Sequence, residues 1–201
     1  MNLANKLTIF RILLVPIMVI IPFFNIQGEL FNIPITYLII DTIFIVASIT
    51  DKLDGNIARK RNEITTFGKF LDPIADKILV IAAMLMLVES GALPAWIPII
   101  VVIREFIVSG YRLVAVEKGG NVIAANIWGK IKTVTQMFAI IFAFININGT
   151  NKFFECFTGS LIGVELFVNF ITTILMLVSV IATVFSGWNY VKNGKELLLD
   201  K

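Results

Sequence analysis

The hydrophobic residues of this chain do not alternate with polar ones; they come in long runs separated by short polar breaks. A helix needs about 20 predominantly apolar residues to cross a bilayer. Six runs approach or exceed that length, at 7–24, 35–58, 69–90, 94–116, 127–147 and 162–186. They predict an all-α integral membrane protein with six transmembrane helices. Pro94 and Pro98 open the fourth run, where a missing N–H costs little. Gly119, Gly120 and Asn121 break the chain before the fifth. The first run carries Arg11 and is followed by Asn25-Ile26-Gln27-Gly28, which lacks a small-x-small cleavage pattern. It therefore reads as a retained helix rather than a signal peptide. With no internal repeat, low-complexity linker or soluble segment, residues 1–201 read as one membrane domain.

Charge placement adds orientation. The connections at 25–34, 91–94 and 148–161 hold a single basic residue, Lys152, while the other Lys and Arg lie in or near the opposite ends of the runs. The positive-inside rule then puts both termini and the 59–68 and 117–126 loops in the cytoplasm, and an even number of spans agrees with this. Trp96, Trp128 and Trp188 read as interface anchors. The tail from Asn189 to Lys201 reads as a short amphipathic or frayed segment without chemistry, and 151–159 as a stretch along the outer interface.

Composition narrows the chemistry. The chain of 201 residues is 58% hydrophobic and 15% charged, with one cysteine and no histidine, and its mean hydropathy is +0.90. A disulfide within the chain is excluded, and so are the thiolate and imidazole sets of structural zinc. Cys156 reads as a packing residue. A bound metal would rest on carboxylates, which favours magnesium, manganese or calcium. A general base would be a carboxylate, lysine or tyrosine. The net charge of +3 is small, and no nucleic-acid partner is expected.

One constellation carries chemistry. Asp51, Asp54, Gly55 and Ala58 fall at i, i+3, i+4 and i+7, on one helical face, and Gly68, Asp72 and Asp76 fall at i, i+4 and i+8 on another. The short loop between them predicts antiparallel neighbours whose acidic faces meet at the cytoplasmic end. Gly55, Ala58, Gly68 and Ala75 are small enough for close approach. Four carboxylates gathered there would repel one another, and acids inside a membrane segment are costly and usually functional. One divalent cation, or two, would supply the counter-charge and tie the carboxylates to a phosphate. Pairing with Lys52, Arg59, Lys60, Lys69 or Lys77 accounts for one or two of these acids, not for four on facing stripes.

A second group is basic. Arg104 and Arg112 lie two turns apart on the fourth run, and Lys130, Lys132 and Thr133 lie on the fifth. Cationic groups lining an intramembrane cavity would receive a phosphate, favouring an acceptor that carries its own. The plainer reading makes Lys130 and Lys132 topogenic charges that snorkel to the headgroups, and pairs Arg104 with Glu105 or Glu89.

The run from Asp51 to Asp76 resembles the full signature of the CDP-alcohol phosphatidyltransferases, D-x2-D-G-x2-A-R-x8-G-x3-D-x3-D, at every fixed position. The resemblance implies a six-helix bundle in the cell membrane, with its active site facing the cytoplasm. It implies metal binding by Asp51, Asp54, Asp72 and Asp76, with Asp76 also the general base and two Mg2+ or Mn2+ ions as cofactor. Gly55, Ala58 and Arg59 would contact the cytidine diphosphate portion, with Thr65 and Gly68 grouped beside them. The stretches Asn5–Arg11, Arg104–Arg112 and Gly129–Gln136 resemble the branch of the family that uses glycerol phosphate, which implies Thr8 and Arg11 near the nucleotide or its phosphates. The implied substrates are CDP-diacylglycerol and sn-glycerol 3-phosphate, and the implied assembly is a homodimer. Competing expectations are inositol phosphate or phosphatidylglycerol as acceptor and, in another class, a cation transporter with a carboxylate ion site.

Overall fold

The computed structural model describes residues 3–61, 66–117 and 127–198, with side chains at 5–51, 68, 71–115 and 127–192. Six α-helices follow in order: α1 (Leu3–Ile20), α2 (Ile35–Arg61), α3 (Thr66–Glu89), α4 (Trp96–Glu117), α5 (Ile127–Phe144) and α6 (Gly163–Leu198). They coincide with the six apolar runs. Three, within Asn5–Phe24, Ile127–Phe144 and Gly163–Lys192, are long and apolar enough to cross a membrane by length and composition. The other three carry charge inside their apolar runs: Asp41 and Asp51 on α2, Asp72, Asp76 and Lys77 on α3, and Arg104, Glu105 and Arg112 on α4.

The distribution of polarity is that of a membrane protein. Arg11, Thr173, Ser179, Thr183 and Ser186 are buried to 0% exposure, whereas Phe106 and Leu113 are 73% and 70% exposed. Buried hydroxyls are tolerated because several bond backward along their own helix, as Thr183 does to the Ser179 carbonyl. All six helices contribute to one apolar core, with Met18, Phe44, Met84, Ile97, Ile140 and Met176 at its centre. Ala47, Ala83 and Ala139 sit among them, letting backbones approach.

The helices form two groups. α1 packs extensively on both α2 and α3, while α6 packs along α5 and α4. Among the described residues α2 and α3 touch each other only slightly. The expected meeting of the α2 and α3 ends falls largely on 52–67, outside the described side chains; between the described parts, α1 packs on both helices.

Local details differ from the sequence reading in two places. Segment 25–34 contains a two-stranded antiparallel hairpin, β1 (Glu29–Leu30) and β2 (Ile33–Pro34). Phe31 and Asn32 form its turn with φ of 56° and 61°, the left-handed pair that a two-residue hairpin requires. At the other end of the chain, helix α6 runs on to Leu198 without a break where the apolar run ends. Its 36 residues span about 54 Å, so the tail continues a helix. At the α5 C-terminus the orphan carbonyls of Phe142, Ala143 and Ile145 all receive Asn151 Nδ2. Asn169 of α6 in turn donates to Asn151 Oδ1 at 3.0 Å, tying the 146–161 connection to the bundle.

Candidate active site

A cavity of about 700 Å³ opens between the two helix groups. From one side Asp51 of α2 and Asp72 and Asp76 of α3 line it; from the other come Arg104 and Arg112 of α4 and Lys130, Lys132 and Thr133 of α5. The two constellations predicted separately from sequence thus face one space.

On the acidic side, helical spacing turns Asp72 and Asp76 toward α1, which answers with two polar residues one turn apart. Thr8 Oγ1 donates to Asp72 Oδ1 at 2.7 Å. Arg11 Nη1 pairs with Asp51 Oδ1 at 2.9 Å and also donates to Asp76 Oδ1. Arg11 is fully buried, whereas the carboxylates of Asp51 and Asp76 remain 37% and 47% exposed toward the cavity. Thr8 and Arg11 therefore stand behind the aspartates instead of lining the cavity themselves. Gly68 is buried in the helix ahead of Asp72. Asp54, Gly55, Ala58 and Arg59 lie on α2 outside the described side chains, and Thr65 lies outside the described residues.

The fit of a divalent cation can be judged from these contacts. Two carboxylate oxygens on different helices converge on one nitrogen, so the acids already surround a point of positive charge. The donors are all oxygen, the set that suits magnesium or manganese. Among the described residues no three His, Cys, Asp or Glu side chains gather closely enough to hold a metal. The remaining acid of the signature, Asp54, is outside them. The donor chemistry fits.

On the basic side a single acid organises the cations. Glu105 Oε1 accepts from Arg104 Nη1 and from Lys132 Nζ, each at 2.8 Å. Arg104 Nη2 reaches across to Ser186 Oγ of α6 at 2.6 Å. A Cβ at Gly129 would lie 3.4 Å from Arg104 Nη2, and one at Gly187 would lie 3.4 Å from Arg104 Cγ. Both glycines thus leave room for this side chain. Of the two readings of Lys132, the plainer one of a snorkelling charge does not describe its side chain, which is buried and paired with Glu105. Lys130 and Thr133 are exposed at the cavity wall, with Thr133 Oγ1 bonded to the Gly129 carbonyl at 3.0 Å. Lys77 of α3 donates to Ser109 Oγ of α4 and bridges the two halves.

The tail, expected to carry no chemistry, supplies Tyr190. This residue is 2% exposed, borders the cavity and accepts from Arg112 Nη2 at 3.1 Å. Sequence reasoning missed it because it falls beyond the apolar run; a helical register carried past Trp188 would have kept it on the face of Thr183 and Ser186.

The profile of the CDP-alcohol phosphatidyltransferase family matches residues 1–186. The chain belongs to that family. It is similar to the CDP-diacylglycerol–glycerol-3-phosphate 3-phosphatidyltransferase of Bacillus subtilis, at 42% identity over 98% of this chain and 97% of the relative. It is also similar to the protein of the same name from Haemophilus influenzae, at 36% identity over 99% of this chain and 96% of the relative. A third, of the same name from Rickettsia bellii, is 34% identical over 97% and 96%. Membership in a phosphatidyltransferase family sets the transporter reading aside. A cavity with carboxylates on one wall and guanidinium and ammonium groups on the other suits the phosphoryl chemistry of such a family: it can hold a diphosphate through a cation and a second phosphate directly.

Proposed function

We propose that this cavity transfers a phosphatidyl group from CDP-diacylglycerol to sn-glycerol 3-phosphate, giving phosphatidylglycerol phosphate and CMP. The observation that carries the reading is the meeting of Asp51, Asp72 and Asp76 with Arg104, Arg112, Lys130 and Lys132 around one space. Asp51, Asp54, Asp72 and Asp76 would hold magnesium or manganese, as a pair of ions. A divalent metal held there would neutralise the diphosphate and the charge growing on the departing CMP. Thr8 and Arg11 keep the carboxylates oriented, and so reach the nucleotide phosphates through them. Gly55, Ala58, Arg59, Thr65 and Gly68 form the cytidine diphosphate side.

Asp76 takes the proton from the 1-hydroxyl of glycerol 3-phosphate. That oxygen attacks the lipid-side phosphorus, its new bond forming as the bond to the CMP oxygen breaks. Arg104, Arg112, Lys130, Lys132 and Thr133 hold the acceptor's own phosphate, which fixes the hydroxyl for in-line approach. Positioning and electrostatics supply most of the rate. In this reading all six helices cross the cell membrane with both termini cytoplasmic and the cavity open to the cytoplasm, and the enzyme is a homodimer.

An acceptor panel with purified protein in detergent tests the proposal: glycerol 3-phosphate, inositol phosphate, phosphatidylglycerol and free serine, each with CDP-diacylglycerol and magnesium or manganese. CMP release with glycerol 3-phosphate and little with the others is expected. Equal or faster release with another acceptor would sink the assignment.

A further inference from the structure

The cations of the cavity sit on a helix that must also keep them apart and aimed. Arg104 and Arg112 are eight residues apart on α4, about 12 Å along its axis. Long side chains at that spacing have many rotamers, so a binding site built from them needs something to fix both. Glu105 and Ser186 hold the two terminal nitrogens of Arg104. Arg112 is exposed at the cavity, where water competes for its guanidinium.

Tyr190 is the residue common to both. Its ring centroid lies 6.0 Å from Arg104 Cζ and 5.9 Å from Arg112 Cζ, at the outer range of a cation–π contact. Its hydroxyl receives Arg112 Nη2 at 3.1 Å. The residue is itself 2% exposed, so its position is set by packing rather than by the arginines. It stands one turn beyond Ser186 and Gly187, which already contact Arg104.

We infer that Tyr190 is a positioning residue for the acceptor phosphate: the inner end of α6 holds Arg104 and Arg112 as a pre-aligned pair facing the cavity. Pre-alignment lowers the ordering cost when a phosphate binds. The inference rests on the reading that these arginines receive the acceptor's phosphate. It assigns no contact between Tyr190 and the reacting atoms, so its effect falls on acceptor affinity.

The test uses the full chain in detergent micelles with initial rates of CMP release, varying one substrate while the other saturates. Tyr190→Phe keeps the ring and its packing; Tyr190→Leu removes the ring; Arg112→Gln removes the charge that Tyr190 holds. Loss of the hydroxyl is expected to raise KM for glycerol 3-phosphate roughly fivefold, the equivalent of one hydrogen bond. Tyr190→Leu should raise it further, while KM for CDP-diacylglycerol and kcat stay within about twofold in both variants. Unchanged acceptor KM in Tyr190→Phe and Tyr190→Leu, with Arg112→Gln raising it, overturns the positioning role and leaves the acceptor site standing. A parallel rise for both substrates also overturns it, as a structural effect. If Arg112→Gln leaves acceptor KM unchanged, the acceptor reading fails and this inference with it.

Discussion

The two walls of the cavity solve opposite problems by the same means. On the acidic wall several carboxylates need a counter-charge, and one buried cation, Arg11, touches two of them. On the basic wall several cations need one, and a single acid, Glu105, touches two of those. The walls differ in what remains after that pairing. Asp51 and Asp76 stay more than a third exposed to the cavity, whereas Lys132 and Glu105 are nearly sealed and hydroxyls of α6 complete the set. The acidic wall thus keeps exposed carboxylate surface, as the proposed metal site would require. On the basic wall Arg104 and Lys132 are already held by protein partners, as the proposed phosphate site would require.

The sharpest way to break this contrast is chelation. With excess chelator, CMP release should fall to background and return on adding magnesium or manganese; activity that persists unchanged removes the metal from the acidic wall. Next in size is Asp76→Asn, which keeps shape but loses the proposed base. A loss of about 10²–10⁴-fold in kcat is expected, with the protein still folded and any loss of stability smaller than that of Arg11→Leu, because Arg11 keeps Asp51. Substantial retained activity assigns the base elsewhere.

Stability measurements separate the walls further. Glu105→Ala strands two buried cations, and removing one partner of a buried pair costs about 3–5 kcal/mol; unfolding in detergent should show a loss near that range whether or not metal is present. Arg11→Leu acts on partly exposed partners, so its cost is discounted to about 1–2 kcal/mol. That loss should shrink when magnesium is added, because the metal replaces the missing counter-charge. Equal losses with and without metal would deny that the acidic wall is built for a second cation.

The smallest expected effect is at Gly187→Ala. Its Cβ would meet Arg104 Cγ at 3.4 Å, a tight but adjustable contact, while alanine favours the helix by about 0.5–1 kcal/mol. Acceptor KM should rise by less than about threefold with stability equal or slightly higher. A large loss of stability there would mean that Arg104 cannot shift at all.

What could be read along the chain follows the range of the interactions. The six helices were legible because each is a long apolar run set off by polar breaks, a pattern carried locally, and three of them are long and apolar enough to cross a membrane. Asp51, Asp72 and Asp76 were legible because their spacing on two consecutive helices encodes a shared face. Arg104, Arg112, Lys130 and Lys132 were legible as charges in apolar runs, yet nothing in the sequence separated a buried pair from a snorkelling one. Tertiary structure decided that Lys132 meets Glu105, 27 positions away, and that Arg112 meets Tyr190, 78 positions away. It also decided that α1 packs on both α2 and α3, and that Thr8 and Arg11 stand behind the aspartates. Such partners are chosen by which helix faces pack together. Packing depends on the fit of small and large side chains across the whole bundle, and no local pattern carries that information.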